Sequence, residues 1–184
     1  FAAHTNLDSA AGGLNDMLAR RIGLNDLKPL VAGKEIRRYQ YDNYPAISQE
    51  HRPGIGRVGY LGTAMDLKSF ARMIKRKMGL KRIKFAGDPH LEIKKAAVCA
   101  GSGSSLLANF FASGAEAYIS GDMRYHDARD VEAANLGVID IGHFSSEYFV
   151  AEELAARLSA IFVESGIAVA VEACNIEKDP FEVL

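Results

Sequence analysis

The sequence has little of what marks the specialised classes of protein. Its formal net charge is -1, from 22 Lys and Arg against 23 Asp and Glu. It therefore lacks the general electrostatic grip of a nucleic-acid binder, although a local basic face is compatible with that total. No run of 18 apolar residues exists, which excludes a membrane-spanning helix. Cysteines number two, Cys99 and Cys174, with no Cys-x-x-Cys spacing. They read as small buried residues in a reducing compartment, not as a disulfide or metal framework. Prolines number five, and the 17 glycines are scattered without a persistent heptad, which excludes collagen-like and coiled-coil rods. There is no low-complexity tract, long linker or tandem repeat. Phe1-Ala2-Ala3-His4 has neither the basic n-region nor the apolar h-region of a signal peptide, and the chain has no starting Met.

What is present is an ordinary globular composition. The 184 residues are 48% hydrophobic, enough for one domain or two small intimate ones and too apolar for intrinsic disorder. A chain of this size buries about 70% of its unfolded surface and needs no staples. Apolar residues at spacings of three and four predict helices over 9–23, capped by Asp8 or Ser9 and ended by Gly23, and over 66–79, capped by Asp66 and stopped at Gly79. The basic run Lys75-Arg76-Lys77 reads as a solvated face near a helix C-terminus. Strands are expected at 36–41 and 57–61, on either side of a polar loop rich in Pro and Gly. Strands at 83–86, 96–99, 117–119, 138–141 and 167–171 then alternate with helices at 104–113, 124–135 and 146–164. That alternation predicts an α/β fold with a largely parallel sheet and helices on its faces.

Sites in such sheets form where strands run into helices. Four polar clusters occupy such positions: His4-Thr5-Asn6-Leu7-Asp8, Ala100-Gly101-Ser102-Gly103-Ser104-Ser105, Gly121 to Asp127, and Gly142 to Glu147. His143 and Glu147 lie four apart across a helix entry, so one turn brings imidazole and carboxylate to one side. Such a donor pair suits zinc, iron or manganese, and Asp8 is the natural third ligand. Glu147 is equally suited to complement a helix N-terminus, with His143 a satisfied histidine, and spacing alone favours that plainer role. The Gly101-Ser102-Gly103 turn could cradle an anion on backbone amides, or simply turn the chain tightly. No Gly-Lys-Ser/Thr follows it, so it is not a P-loop. His126, near Asp122, has the chemistry of a general acid or base near neutral pH, although a helix start carries such a histidine without function. His51 and His90 read as surface loop residues, and no Gly-x-Ser-x-Gly elbow is present.

Taken in order, these stretches resemble one family. They are AAHTNLDSAAGGLND (2–16), GRVGYLG (56–62), VCAGSGSSL (98–106), AEAYISGDMRYHDA (115–128), IDIGHFSSE (139–147) and DPF (179–181). The chain is similar to the NGG-interacting-factor-three-like family of dinuclear-metal hexameric proteins. Its bacterial members are often labelled GTP cyclohydrolase 1 type 2 homologues. The resemblance implies that Asp8, His143 and Glu147 are metal ligands, with His4 behind them orienting the loop that carries Asp8. It places His126 and the Gly101–Gly103 turn beside the same cleft. It also implies an α/β fold of two similar intertwined halves, one or two divalent ions per chain, and assembly into toroidal hexamers. The stretch between Tyr41 and Gly56 is too short for the domain that some members carry mid-chain. One departure stands out: the family's adjacent His-His pair, upstream of the HTNLD stretch, has no counterpart here. The expectation is that residues 1–184 form a single α/β unit, the C-terminal portion of a longer family chain.

Two functions follow from that resemblance. One is a metal-dependent hydrolase of a nucleotide or similar phosphorylated molecule, with His126 moving protons. The other is a non-enzymatic metal chaperone or interaction scaffold. A plainer third reading is an assembly domain whose chemistry lies elsewhere. A phosphate-binding cleft beside the metal ligands favours the enzyme. The expected setting is cytoplasmic, with the chain's own copies as partners and neither membrane nor nucleic acid.

Overall fold

In the computed structural model, residues 2–33 and 53–182 are described, and they build one six-stranded sheet covered by helices on both faces. The expected strand at 36–41 lies outside the described residues. The chain runs α1 (Thr5–Ser9), α2 (Leu14–Ile22), β1 (Leu24–Ala32), β2 (Gly54–Asp66), α3 (Leu67–Lys77), β3 (Lys84–Ala86) and β4 (Glu92–Ser102). A 3-10 turn (Ser104–Leu106) then leads into α4 (Leu107–Ser113), β5 (Ala117–Gly121), α5 (Tyr125–Ala133), β6 (Gly137–Asp140), α6 (His143–Glu147) and α7 (Val150–Glu164).

The sheet order is β1-β2-β4-β5-β6-β3. Only β4–β5 and β5–β6 pair in parallel, whereas β1–β2, β2–β4 and β3–β6 are antiparallel. The sheet is therefore mixed and mostly antiparallel, which corrects the expectation of a largely parallel one. The reason is local: only α4 and α5 join strands that both run in the same direction and lie side by side in the sheet, whereas α3 carries the chain from β2 to the far edge. The expected strand at 167–171 is also corrected. Those residues run in no ladder, and Ile167 and Val169 are exposed. The alternating β-branched side chains that suggested a strand are a tendency to fit a pleated surface, and no sheet edge accepts them.

The central strands are buried on both sides, as a covered sheet requires. Along β4, Ala96 and Val98 face the core beneath α2 and α3, while Ala97 and Cys99 face α4 and α5. Helix α2 buries Leu14, Met17, Leu18 and Ile22, and α3 buries Leu67, Phe70, Ala71 and Ile74, each a stripe at helical spacing. Asp66 caps α3 by accepting from Ser69 N–H at 2.8 Å. Gly23 ends α2 in the left-handed conformation, at φ +96°. The expected helices over 9–23 and 146–164 are each two helices. The first breaks at Gly12 and Gly13, so Asp8 and Ser9 lie inside α1 and Gly13 caps α2. The second breaks after Glu147, so His143 and Glu147 begin and end their own helix, α6. Cys99 is buried, as expected, and its thiol is pushed up to about 11 by burial, but Cys174 is exposed.

One buried ion pair holds the α1–α2 junction in place. The Arg57 guanidinium on β2 is 2% exposed and donates to Asp16 Oδ2 at 2.6 Å. It also donates to the carbonyls of Gly54, Gly56 and Ala10, and the same Asp16 oxygen accepts from Gly12 N–H at 2.9 Å. Removing one member leaves the other charge buried alone, a loss of about 3 kcal/mol or more. Asp16→Ala is thus expected to lower the urea midpoint strongly. The double variant Asp16→Leu/Arg57→Met recovers part of that loss. Equal midpoints for Asp16→Ala and wild type would show that the pair contributes nothing.

Candidate functional site

The site forms at the end of β4, where the strand departs from regular pairing. Val98 pairs with Ile119 and Ser102 with Gly121, so β4 advances four residues while β5 advances two. This irregularity re-aims the backbone, as bulges do. Two successive amides there are taken by buried side chains. Ala100 N–H donates to Asn15 Oδ1 at 2.9 Å, and Gly101 N–H donates to Ser146 Oγ at 2.7 Å. Asn15 is 1% exposed and Ser146 is fully buried. Their other bonds reach outward to the site. Asn15 Nδ2 donates to the Asp8 carbonyl at 3.0 Å, and Ser146 Oγ donates to the His143 carbonyl at 2.7 Å. Two sequence-remote segments, helix α1 bearing Asp8 and helix α6 bearing His143 and Glu147, are thereby tied to adjacent positions of one strand.

Gly101 keeps the space between them open. It sits at φ +66°, and a Cβ there would lie 2.5 Å from Glu147 Oε1 and 3.2 Å from His143 Nε2. Any side chain would therefore fill the gap those two donors face. Gly121 plays a similar part behind His143, where a Cβ would lie 2.6 Å from the His143 amide nitrogen. Within α6, Nε2 of His143 stands 3.5 Å from Glu147 Oε1. On its other side, Nδ1 is 2.7 Å from Asp122 Oδ2, a contact that fixes the ring's orientation. Asp122 holds a left-handed backbone at φ +51°, two residues before the N-cap position of α5 at Arg124.

The electrostatics agree with this convergence. Burial raises the Glu147 carboxyl above its ordinary range. Positive His143 and His4 pull it down, while Asp8 and Asp122 push it up. Burial also raises Asp8, and His4 opposes that. Asp8, Glu147, His143 and His4 are therefore close enough to feel one another. The hydrogen bond to Asp122 raises His143, with burial opposing. His4 is exposed, and its carbonyl accepts the Leu7 and Asp8 amides.

The remaining expected residues sit differently. His126 is exposed on α5 with its ring edge-on to Tyr125 at 5.5 Å, and among the described residues it makes no hydrogen bond or ion pair to the cluster. Of the Gly101–Gly103 turn, Gly101 N–H is spent on Ser146. Gly103 is pressed by Tyr118, whose hydroxyl donates to its carbonyl at 2.9 Å and leaves no room for a Cβ. Ser102 is exposed and lines a depression of about 320 Å³ with Ser104, Ser105, Asp122 and Arg124. Arg124 grips Asp127 with two bonds of 2.9 and 3.0 Å, which holds that carboxyl below the usual range. His90 is exposed, as expected of a loop residue, and His51 lies outside the described residues. The positioning roles of Asn15 and Ser146 were missed in the sequence reading. Their only signal there is a polar residue on the inward face of a short helix.

The donor chemistry fits a divalent cation in part. An imidazole nitrogen and a carboxylate oxygen share a gap, and a second carboxylate is coupled to them. Among the described residues, no three His, Cys, Asp or Glu side chains are gathered closely enough to enclose an ion.

A mixed α/β domain with helices on both faces and His, Asp and Glu converging at one strand end defines the class. The chain belongs to the Duf34/NIF3 (NGG1p interacting factor 3) family, whose model matches residues 1–180. It is 36% identical over 188 aligned positions to a GTP cyclohydrolase 1 type 2 homolog of Clostridium perfringens, covering all of this chain and 64% of that protein. The Bacillus subtilis protein of the same name is 31% identical over 144 positions, 78% of this chain and 38% of its own length. The chain thus spans less than two thirds of the curated relatives named here. Among solved structures, a Staphylococcus aureus hypothetical protein matches with a TM-score of 0.86 at 30% identity, covering 100% of this chain and 68% of that one. Reduced HcgD from Methanocaldococcus jannaschii matches with a TM-score of 0.64 at 31% identity, covering 87% and 56%.

The contact with Asp122 makes a direct prediction for the metal-free protein. A proton NMR titration of His143 should give a pKa above the ordinary histidine value, and Asp122→Asn should lower it. The sign follows from linkage. A raised folded pKa stabilises the fold below the unfolded value and loses that stabilisation as pH rises through the folded one. An unchanged titration in the variant would mean that the contact does not form.

Proposed function

We propose that the chain is a divalent-metal-binding unit of a hydrolase that acts on a nucleotide-like, phosphorylated substrate. The observation that carries this reading is the gap in front of Gly101, faced by His143 Nε2 and Glu147 Oε1. Asp8, His143 and Glu147 would hold the ion, with His4 beside Asp8 and Glu147. A bound divalent ion supplies a lowered pKa for a coordinated water and polarisation of a phosphoryl or ring carbon centre. Asp122 holds His143 Nδ1 and so directs Nε2 toward the gap. Burial raises Glu147 and Asp8, so protons compete with a cation for both carboxylates and metal binding would strengthen as pH rises.

The depression beside Asp122 supports an enzyme over a chaperone. Its exposed Ser102 and Ser105 hydroxyls, and the N–H groups Arg124 does not spend on Asp127, offer hydrogen bonds to an oxygen-rich substrate next to the ligands. His126 would move protons only after α5 or the substrate brings it closer, so Asp122 is the better placed acid–base group. The names of the relatives point the same way, toward a GTP cyclohydrolase type 2-like reaction. The metal is one of zinc, iron and manganese, one or two per chain, and the assembly is a homo-oligomer, a hexamer in this reading, in the cytoplasm. Among the described residues no helix is long and apolar enough to cross a membrane.

The test is metal content by plasma mass spectrometry on gel-filtered protein. Wild type is expected to retain zinc, iron or manganese, and Asp8→Ala and His143→Ala are each expected to lose most of it. Retention of full metal by both variants would overturn the ligand assignment.

A further inference from the structure

Helix α3 carries a second surface unrelated to the site. Opposite its buried stripe, Arg72, Lys75 and Arg76 follow one another at helical spacing. With Gly79 and Leu80 they line a depression of about 570 Å³. Eight of the chain's 22 Lys and Arg fall between Lys68 and Lys84, and no Asp or Glu occurs from 67 to 87. The rest of the nearly neutral chain is correspondingly acidic.

One of the eight has an ion-pair partner among the described residues. Lys84 Nζ bonds Asp140 Oδ2 at 2.8 Å. Lys77 lies over the end of α2, where a Cβ on Gly23 would be 2.6 Å from its Nζ. Among the described residues, Arg72, Lys75 and Arg76 have no carboxylate within ion-pair distance. A helix C-terminus attracts a cation with only about half a charge. Three further cations stacked at these spacings repel one another and disfavour the helix. A multiply charged anion would offset that repulsion.

We propose that this face binds a compact cluster of phosphates with three or more negative charges. Two arginines suit forked recognition of phosphate oxygens, and the lysine adds a point charge. The patch is a small depression and not an extended groove, and no aromatic side chain lines it for bases to stack upon. Both features favour a compact polyphosphate over an extended nucleic acid.

Titration calorimetry on metal-free protein at low salt tests this with inorganic tripolyphosphate. Wild type is expected to bind, and Arg72→Gln/Lys75→Gln/Arg76→Gln to lose about tenfold or more in affinity. The charge-matched control Lys28→Gln/Lys94→Gln/Arg129→Gln should stay within about twofold, as should Asp8→Asn, which separates this face from the metal ligands. Adenosine triphosphate as a second probe distinguishes the source. Equal affinity assigns the phosphates alone, and tighter binding assigns a nucleotide's phosphate tail. Absent binding, no loss in the triple variant, or equal loss in the charge-matched control would overturn the proposal. So would a short DNA duplex that binds about tenfold more tightly than tripolyphosphate and depends on the same three residues.

Discussion

The arrangement rests on two neighbouring amides of β4 that do not pair with another strand. The irregularity between Val98 and Ser102 releases the N–H groups of Ala100 and Gly101 from the ladder. A buried amide must find an acceptor. Asn15 and Ser146 supply one each, and both pass the constraint on to a backbone carbonyl, that of Asp8 or of His143. The donor side chains thus inherit their spacing from the rigid centre of the sheet, although they sit on exposed or half-buried loops and short helices. Arg57 and Asp16 perform the same service one layer away, fixing the turn from α1 into α2. Fully satisfied polar groups of this kind specify one geometry where apolar packing alone would tolerate several.

Much of this was legible in the sequence, and the failures have physical causes. The helix over α3 could be read from its apolar stripe, its Asp66 cap and its Gly79 stop, because each is a local signal. The sheet's mixed direction was not legible. Alternating strands and helices look the same whether a strand returns by a crossover or pairs directly with its neighbour. Residues 167–171 have strand composition and no ladder, since composition reports fitness for a sheet and not the presence of a partner edge. The approach of His143 to Glu147 was visible as a four-residue spacing, whereas Asp8 could be named only as a candidate from a separate polar cluster, because no local pattern says which loops the fold brings together. The capture of Asn15 and Ser146 depends on a bulge that no local pattern announces. His126 shared its polar stretch with Asp122, yet the turn before α5 sends Asp122 to His143 and leaves His126 on the surface.

Two chemically different surfaces share this small domain. One is a gap faced by an imidazole and a carboxylate, the donor pair of the proposed cation site. The other is a helix face whose Arg72, Lys75 and Arg76 have no carboxylate partner among the described residues, the proposed anion site. Their separation on a nearly neutral chain keeps opposite charges from cancelling locally, which is how a protein with no net field retains strong local ones. The chain belongs to the Duf34/NIF3 family and spans less than two thirds of the curated relatives named above.

The central claim is that helices α1 and α6 meet, so that two carboxylates 139 positions apart in sequence, Asp8 and Glu147, share one electrostatic environment. The most direct measurement is the pKa of Glu147 by carbon-detected NMR titration of metal-free protein, with and without Asp8→Asn. The account predicts a value above the ordinary carboxylate range that falls when the Asp8 charge is removed. A Glu147 pKa that does not respond to the substitution would contradict it.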